Sequence, residues 1–359
     1  MSRILEELLA PRPFYEDGGA GACNAAALKA ALVRPAFFDV SCLTYRLMYA
    51  KAEDYCKKCG ADAERMAHMI AADVMFDIAD ACRNFACAPV LAFDSVRRLR
   101  KEQILPTYKD GRLEQKKTKE VETVLACRFE AMRLLKRVYA PGYKVQCFCM
   151  NGYESDDIIA SFVLGLKQNC WAQKDVLMSQ YDKPVVIVSS DHDLHQIVTD
   201  GVMFADVTTG VLCTAADIEK HWKIACRDVV AAKCVGGGKS DHVGNVPGCG
   251  EKTVAEFLQK RNFDVTVKKA RAALNSPEGE EILRRNLKLV RLPYEGDPPM
   301  PPPLLSAKVW PKAGIPEDMA AMMDSNGVPR AAWPSFADVT LPRPAGAVPM
   351  CAYNKKVTQ

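Results

Sequence analysis

Short apolar runs alternate with longer stretches of helical period through the first two-thirds of the chain. Pro35–Phe38, Pro89–Phe93 and Pro184–Val188 have the length of buried strands. Between them, apolar positions recur at helical spacing near residues 61–84, 113–139 and 154–167. Strands separated by helices predict an α/β fold whose central sheet is mostly parallel and covered by helices. From about 214 to 296 the strand signals fade and helical ones dominate. Ahead of the first strand lie a short helix (Ile4–Leu9), a Gly-rich link (Asp17–Ala22) and an Ala-rich segment. Twelve of the 22 prolines fall beyond residue 296, so the tail is expected to lack regular helices and central strands. The pattern divides the chain into an extension (1–35), an α/β domain (36–225), a helical subdomain (226–296) and a Pro-rich tail (297–359).

Composition narrows the class of protein. With 359 residues, 49% hydrophobic and 26% charged, the chain has material for two packed domains. The net charge of +4 is too small to name a partner, so its distribution has to decide. No uncharged apolar run approaches the roughly 18 residues of a membrane helix, and the first residues do not read as a secretory signal. Fifteen scattered cysteines, an odd number, read as reduced thiols in a cytoplasmic protein. The pair Cys56 and Cys59 has no second CxxC or His cluster to complete a zinc site, and a helical surface is the expected reading.

The chemistry begins where the strands end. Phe37–Phe38 is followed by Asp39, Val90–Phe93 by Asp94, and Val185–Ser190 by Asp191 with Asp193 two residues on. A single aspartate after a strand is ordinary turn or helix-cap chemistry. Three of them share one rim in a parallel sheet, where ligands bind beyond the strand carboxyl ends. Glu154, Asp156 and Asp157 add three carboxylates at the start of an apolar helix. A helix dipole accounts for one or two acids there, but adjacent Asp156 and Asp157 direct at least one towards the sheet edge. So many carboxylates repel each other unless divalent cations intervene, and an all-oxygen site suits Mg²⁺ or Mn²⁺. Two such ions about 4 Å apart support phosphodiester cleavage.

Two further features suit a nucleic-acid backbone. Gly248 and Gly250 allow a tight turn between two helices, the second opening at about Glu251, with Lys252 beside it. Free backbone N–H groups of such a turn hold phosphates without reading sequence. A basic segment follows Asp94: Arg97, Arg98, Arg100 and Lys101, then Tyr108–Lys109, Arg112, Lys116, Lys117 and Lys119. A solvated helix face is the plain explanation, but its place beside the acid rim suits the gathering of phosphates.

With these motifs assembled, residues 36–296 resemble the flap endonuclease and 5′→3′ exonuclease family, most of all its bacteriophage members. The likeness rests on Gly-Tyr-Glu-Ser-Asp-Asp-Ile-Ile at 152–159, Ser-Ser-Asp-His-Asp-Leu at 189–194 and Asn-Val-Pro-Gly-Cys-Gly-Glu-Lys-Thr at 245–253. Weaker support comes from Phe93–Asp94 to Tyr108–Lys109 and from Arg285–Leu287. The resemblance implies a PIN-like nuclease fold with a C-terminal helix-hairpin-helix or helix–three-turn–helix subdomain. It implies a first metal site of Asp39, Asp94, Glu154, Asp156 and Asp157, and a second of Asp191, Asp193 and Asp241. Lys109 would contact the scissile phosphate at the base of a helical arch at about 95–125. Tyr108 would stack on a terminal base, Arg97, Arg98 and Lys101 would meet DNA, and Lys233 would lie near the second site. The 243–255 hairpin, with Gly248, Gly250 and Lys252, would clamp duplex DNA around a K⁺ ion. One departure stands out: the family's first aspartate in the segment 237–242 is Gly238 here, and His242 replaces an Asn. A second site with relaxed or Mn²⁺-favoured binding is expected. His192 is expected to face outward.

The expected activity is metal-dependent 5′→3′ exonuclease and flap endonuclease action on flapped, nicked or gapped DNA and on RNA primers paired to DNA, in replication or repair. The alternative is a non-catalytic DNA-junction binder of the same fold, motivated by Gly238. A toxin-like ribonuclease has no use for the 243–255 hairpin. The expected state is a monomer in the cytoplasm, or a host cell interior for a viral protein, with replication proteins as partners.

Overall fold

The run Pro35–Phe38 lies in strand β1 (Arg34–Asp39), buried from Pro35 onwards. The computed structural model describes residues 3–9, 34–85, 87–110, 117–171, 185–238, 241–301 and 314–336. Strands β2 (Cys87–Ala92), β3 (Gln146–Phe148), β4 (Val185–Ser189), β5 (Val202–Asp206) and β6 (Val211–Cys213) complete one sheet in the order β3-β2-β1-β4-β5-β6. All pairs are parallel except β5–β6. The fold is therefore α/β with a mostly parallel sheet, as expected from the alternating pattern.

The order of strands decides where the acids meet. β1 is central, with β2 on one side and β4 on the other; Asp39 is level with Ala92, and Phe38 with Val188. The chain winds outward from β1 through β2 to β3, then returns to start again at β4. The crevice beyond the ends of β1 and β4 is thus a switch point, the usual place for a ligand in such sheets.

Successive side chains of a strand face opposite sides, so Phe38 and Phe37 belong to different cores. Phe38 packs under α2 (Val40–Ala50), α3 (Ala52–Cys59), α4 (Ala63–Phe85), α6 (Lys119–Ala126) and α7 (Arg128–Leu134). α7 runs on through a π-helical turn to Gly142. Phe37 faces α8 (Ser155–Trp171), stacking on Phe162 with ring centroids 5.2 Å apart. The short α5 (Leu99–Gln103) follows β2 in the basic segment.

After β6 come α9 (Ala215–Trp222), α10 (Val229–Gly236), α11 (Glu251–Lys260), α12 (Lys268–Leu274) and α13 (Pro277–Val290). Helices α10 to α13 share a separate core around Val235, Phe257 and Leu283. Residues 3–9 of the extension form α1 and pack Ile4, Leu5 and Leu8 into that same core, so this part of the extension is structural.

The tail departs from expectation. Pro316 caps α14 (Glu317–Ser325), whose Met319 and Met323 are buried in the large core with Val328 and Phe336. The proline count hid this helix because its own nine residues contain none, and Ala and Met favour helix. The Gly-rich link, Arg112, Lys116 and the last tail residues lie outside the described residues.

Candidate active site

Asp39 ends β1 and caps α2, where its Oδ1 accepts the backbone N–H of Cys42 at 3.1 Å. Ser155 Oγ donates to Oδ1 at 2.9 Å and Ser189 Oγ to Oδ2 at 3.0 Å, which ties β1 to the start of α8 and the end of β4. Burial first, then the charges of Asp94 and Asp191, push its carboxyl up to about 7. Asp94 accepts the N–H of Ser155 at 2.8 Å. Asp39, Asp94 and the acid turn thus meet around Ser155, a residue that sequence reading did not single out.

Within the turn, carboxylate oxygens of Glu154, Asp156 and Asp157 lie within 4.8 Å of one another, and all three residues are buried. Two cations answer them. Arg100, 2% exposed on α5, grips Asp157 through two N–H···O bonds of 2.6 Å and reaches Glu154 at 3.0 Å. Lys109 Nζ lies 2.7 Å from Glu154, and the Tyr108 hydroxyl donates to the same carboxylate at 3.2 Å. Burial alone would raise Glu154, but Lys109 and Arg100 overcome it and hold the carboxyl down at about 2. Asp156 goes the other way: burial and the neighbouring Asp157 hold it well above the usual range. Buried acids displaced in opposite directions, with oxygen donors only, fit a hard divalent cation.

The second group gathers at the other side of the switch point. Asp191 caps a 3₁₀ turn (His192–Ile197) by accepting the N–H of Asp193 at 2.9 Å. Asp193 pairs with Lys233 of α10. The carbonyl of Asp241 accepts the N–H of Lys109 at 3.1 Å, so the residue that neutralises Glu154 is fastened to the second group by its backbone. Lys109 sits at φ +62, a left-handed conformation uncommon outside glycine. Gly238 lies next to this group, bridged through its backbone to Val243.

Two expectations take a different form. Tyr108 is 3% exposed, its ring packed near Val243, Leu289 and Val290, because its hydroxyl is drawn inward by Glu154. It presents no open face for stacking. His192 is half-buried rather than outward, its ring centroid 4.1 Å from that of Trp222 and 4.9 Å from that of His195. Arg100, counted in the sequence as one more basic residue of the arch, is an interior residue. Nothing local in the sequence marks it; its partners Glu154 and Asp157 lie more than fifty residues away.

Among the described residues, the other basic side chains of the segment after Asp94 are less buried than Arg100. Arg97 is exposed and pairs with Glu102, Arg98 is half-buried, and Lys101 pairs with Asp110. At the hairpin, Gly248 has φ +81 and Gly250 caps α11, with Lys252 exposed on its first turn. Asn245 Nδ2 donates to the Cys249 carbonyl at 2.8 Å, closing the loop between α10 and α11.

The sequence profile described as 5′-3′ exonuclease, N-terminal resolvase-like domain matches residues 35–223, more than half of the chain. The chain belongs to the 5′–3′ exonuclease family. Among curated relatives of this family member, DNA polymerase I of Bacillus caldotenax is 27% identical over 201 residues, 54% of this chain and 20% of the polymerase. A 5′-3′ exonuclease of Buchnera aphidicola subsp. Schizaphis graminum is 28% identical over 109 residues, 30% of this chain and 34% of that protein. The chain therefore spans about a fifth of the polymerase it matches. In fold it is similar to T5 5′-exonuclease with bound zinc, with TM-score 0.54, 22% identity, and coverage of 72% of this chain and 90% of that one. A bacteriophage T5 flap endonuclease in complex with DNA and metal ions gives TM-score 0.55 at 20% identity over 72% and 89%. Among the described residues of this chain, no helix is long and apolar enough to cross a membrane.

Proposed function

We propose that the chain is a structure-specific, divalent-metal-dependent 5′→3′ exonuclease and flap endonuclease. It hydrolyses phosphodiester bonds in DNA, and in RNA primers paired to DNA, during replication or repair. The observation that carries this reading is the meeting of Asp39, Asp94 and Asp191, at the ends of three adjacent strands, with the buried Glu154–Asp157 turn. The first Mg²⁺ or Mn²⁺ would lie among Asp39, Asp94 and that turn, the second among Asp191, Asp193 and Asp241. Bound there, a pair of divalent ions lowers the pKa of a water and offsets charge on the departing oxygen.

The chain's own residues supply the rest. Lys109, released from Glu154, reaches the scissile phosphate as a flexible point charge. Lys233 holds Asp193 in place, and Arg97, Arg98 and Lys101 draw the 5′ strand to the rim. The turn at Gly248 and Gly250, with Lys252, grips the backbone of the downstream duplex and is where a K⁺ ion would sit. The chain works as a monomer on flapped, nicked or gapped DNA, with replication proteins as further partners.

Gly238 favours one alternative, a junction binder without chemistry, and a single assay separates the two. A 5′-labelled flap duplex is incubated with Mg²⁺ or Mn²⁺, and product ends are mapped for wild type and Asp94→Asn. The proposal requires cleavage near the junction by the wild type and its loss in the variant. Binding with no cleavage in either metal would establish the junction binder instead.

A further inference from the structure

The three acids of the turn are not equivalent. Asp157 is completely buried, and both of its oxygens are occupied. Oδ1 accepts Arg100 Nη2 at 2.6 Å and the backbone N–H of Tyr294 at 2.7 Å. Oδ2 accepts Arg100 Nη1 at 2.6 Å and the N–H of Glu154 at 3.1 Å. A carboxylate has about four lone-pair sites, and here each has a donor. The neighbours differ. Asp156 accepts the N–H of Asp157 on Oδ1 at 2.7 Å, Asp94 accepts Ser155 on Oδ1, and Asp191 accepts Asp193 on Oδ1. Among the described residues, no hydrogen bond reaches Oδ2 of any of these three. Glu154 is engaged on both oxygens, but Oε1 only by the flexible Lys109.

We infer that Asp157 is the organising carboxylate of the site and not a metal ligand; the open oxygens of Asp94 and Asp156 serve the first ion and that of Asp191 the second. This refines the nuclease reading and rests on it. The structural reason is Arg100. Its guanidinium is buried, lies 5.0 Å beneath the ring of Tyr294 and reaches the Arg291 carbonyl at 3.5 Å. Turning Asp157 towards a cation would take both 2.6 Å bonds from that buried charge and leave it Glu154 alone, which is unfavourable. Through Arg100 and Tyr294, Asp157 joins the base of the basic segment to the strap 291–294 that leaves α13. The same strap is bound to the 3₁₀ turn of Asp193, since Leu292 N–H donates to Gln196 Oε1 at 3.0 Å. Asp157 is thus a positioning residue that sets the first group of acids against the second.

The test measures Mn²⁺ binding to the metal-free full chain by the spin-resonance signal of free Mn²⁺, beside urea denaturation. Asp156→Asn should weaken the tighter Mn²⁺ by about tenfold or more while leaving the urea midpoint near wild type. Asp157→Leu should lower the midpoint, because Arg100 loses its two-pronged partner and keeps only Glu154. The pair Arg100→Met with Asp157→Leu leaves the net charge unchanged, so a change in Mn²⁺ affinity reports ligation rather than field. The pair should recover most of the midpoint and bind Mn²⁺ within about threefold of wild type, since buried ion pairs are replaceable by apolar groups. A pair variant that folds normally but loses one Mn²⁺ would overturn the inference. Should the pair not fold, Asp157→Asn, which keeps an oxygen for Tyr294 and Arg100, is titrated instead; unchanged stoichiometry supports the inference and a lost ion refutes it. A wild type that binds no Mn²⁺ defeats the nuclease reading, and the urea cycle still reports separately on the Arg100 link.

Discussion

Gly152 precedes the acid turn and holds it to the segment that carries Asp94. Its N–H donates to Ser95 Oγ at 3.0 Å, its carbonyl accepts Leu99 N–H at 2.9 Å, and Ser95 N–H donates to the Tyr153 carbonyl at 3.0 Å. The backbone there has φ +91, and a Cβ would stand 2.5 Å from Leu99 Cγ and 2.8 Å from its Cδ1. Gly152→Ala therefore meets two separate obstacles. The conformation costs about 1–3 kcal/mol for any other residue, and the overlap with fully buried Leu99 costs about 1–3 kcal/mol more. The sum, about 2–6 kcal/mol, corresponds to a fall in Tm of roughly 4–24 °C for a domain of this size. Urea denaturation followed by circular dichroism measures it. The overlap term can be isolated: Leu99→Ala alone costs about 2–5 kcal/mol, but in the Gly152→Ala background it removes the clash. The double variant should then be at least about 0.5 kcal/mol more stable than additivity allows. Wild-type stability in Gly152→Ala, or strict additivity, would refute the reasoning.

At Gly238 the substitution to Asp should be tolerated, since an added Cβ meets nothing within 4 Å and the backbone is outside the left-handed region. It should raise divalent affinity by about tenfold or more and shift cleavage from Mn²⁺ towards Mg²⁺; an unchanged metal dependence counts against a second site there. Asp77 on α4 is pushed up to about 6 by burial, which outweighs the opposing Lys51 and Arg46. The folded chain therefore holds a proton that the unfolded chain has released between about pH 4 and 6, and stability falls as pH rises through that window. Asp77→Asn should gain up to about 3 kcal/mol over wild type at pH 7, with the difference shrinking towards pH 4; a gain independent of pH would be the wrong result. Ile4 has no exposed surface in the core of α10 to α13. Ile4→Asp should cost about 3 kcal/mol or more in denaturation, and a neutral outcome would mean that α1 does not belong to that core.

Much of the sheet and its acid rim was legible because parallel strands are buried on both faces. They appear as unbroken apolar runs, and the residue after each run must lie at the carboxyl edge. Phe37 and Phe38 could both be apolar for that reason, one for each core. Helices α2 and α3 were harder to read, since Cys, Thr and Tyr break the periodicity where the chain packs between sheet and long α4. The edge strands β3 and β6 are three residues each and only partly buried or exposed, so they left a weak signal. Arg100 and Tyr108 escaped because charge and hydroxyl groups usually mark surface, and only the acids of a distant segment draw them inside. The strap 291–294 meets Asp157 through a backbone N–H, a contact that no side-chain pattern records. In the tail, average composition concealed a local sequence that makes a helix and fills the large core.

The most direct measurement is an anomalous-scattering map from crystals of the chain soaked in Mn²⁺. The account predicts a peak beside Asp94 and Asp156 and a second beside Asp191 and Asp241, with Arg100 still bound to Asp157. Crystals that take up no Mn²⁺ at this rim, or that hold it elsewhere on the chain, would contradict it.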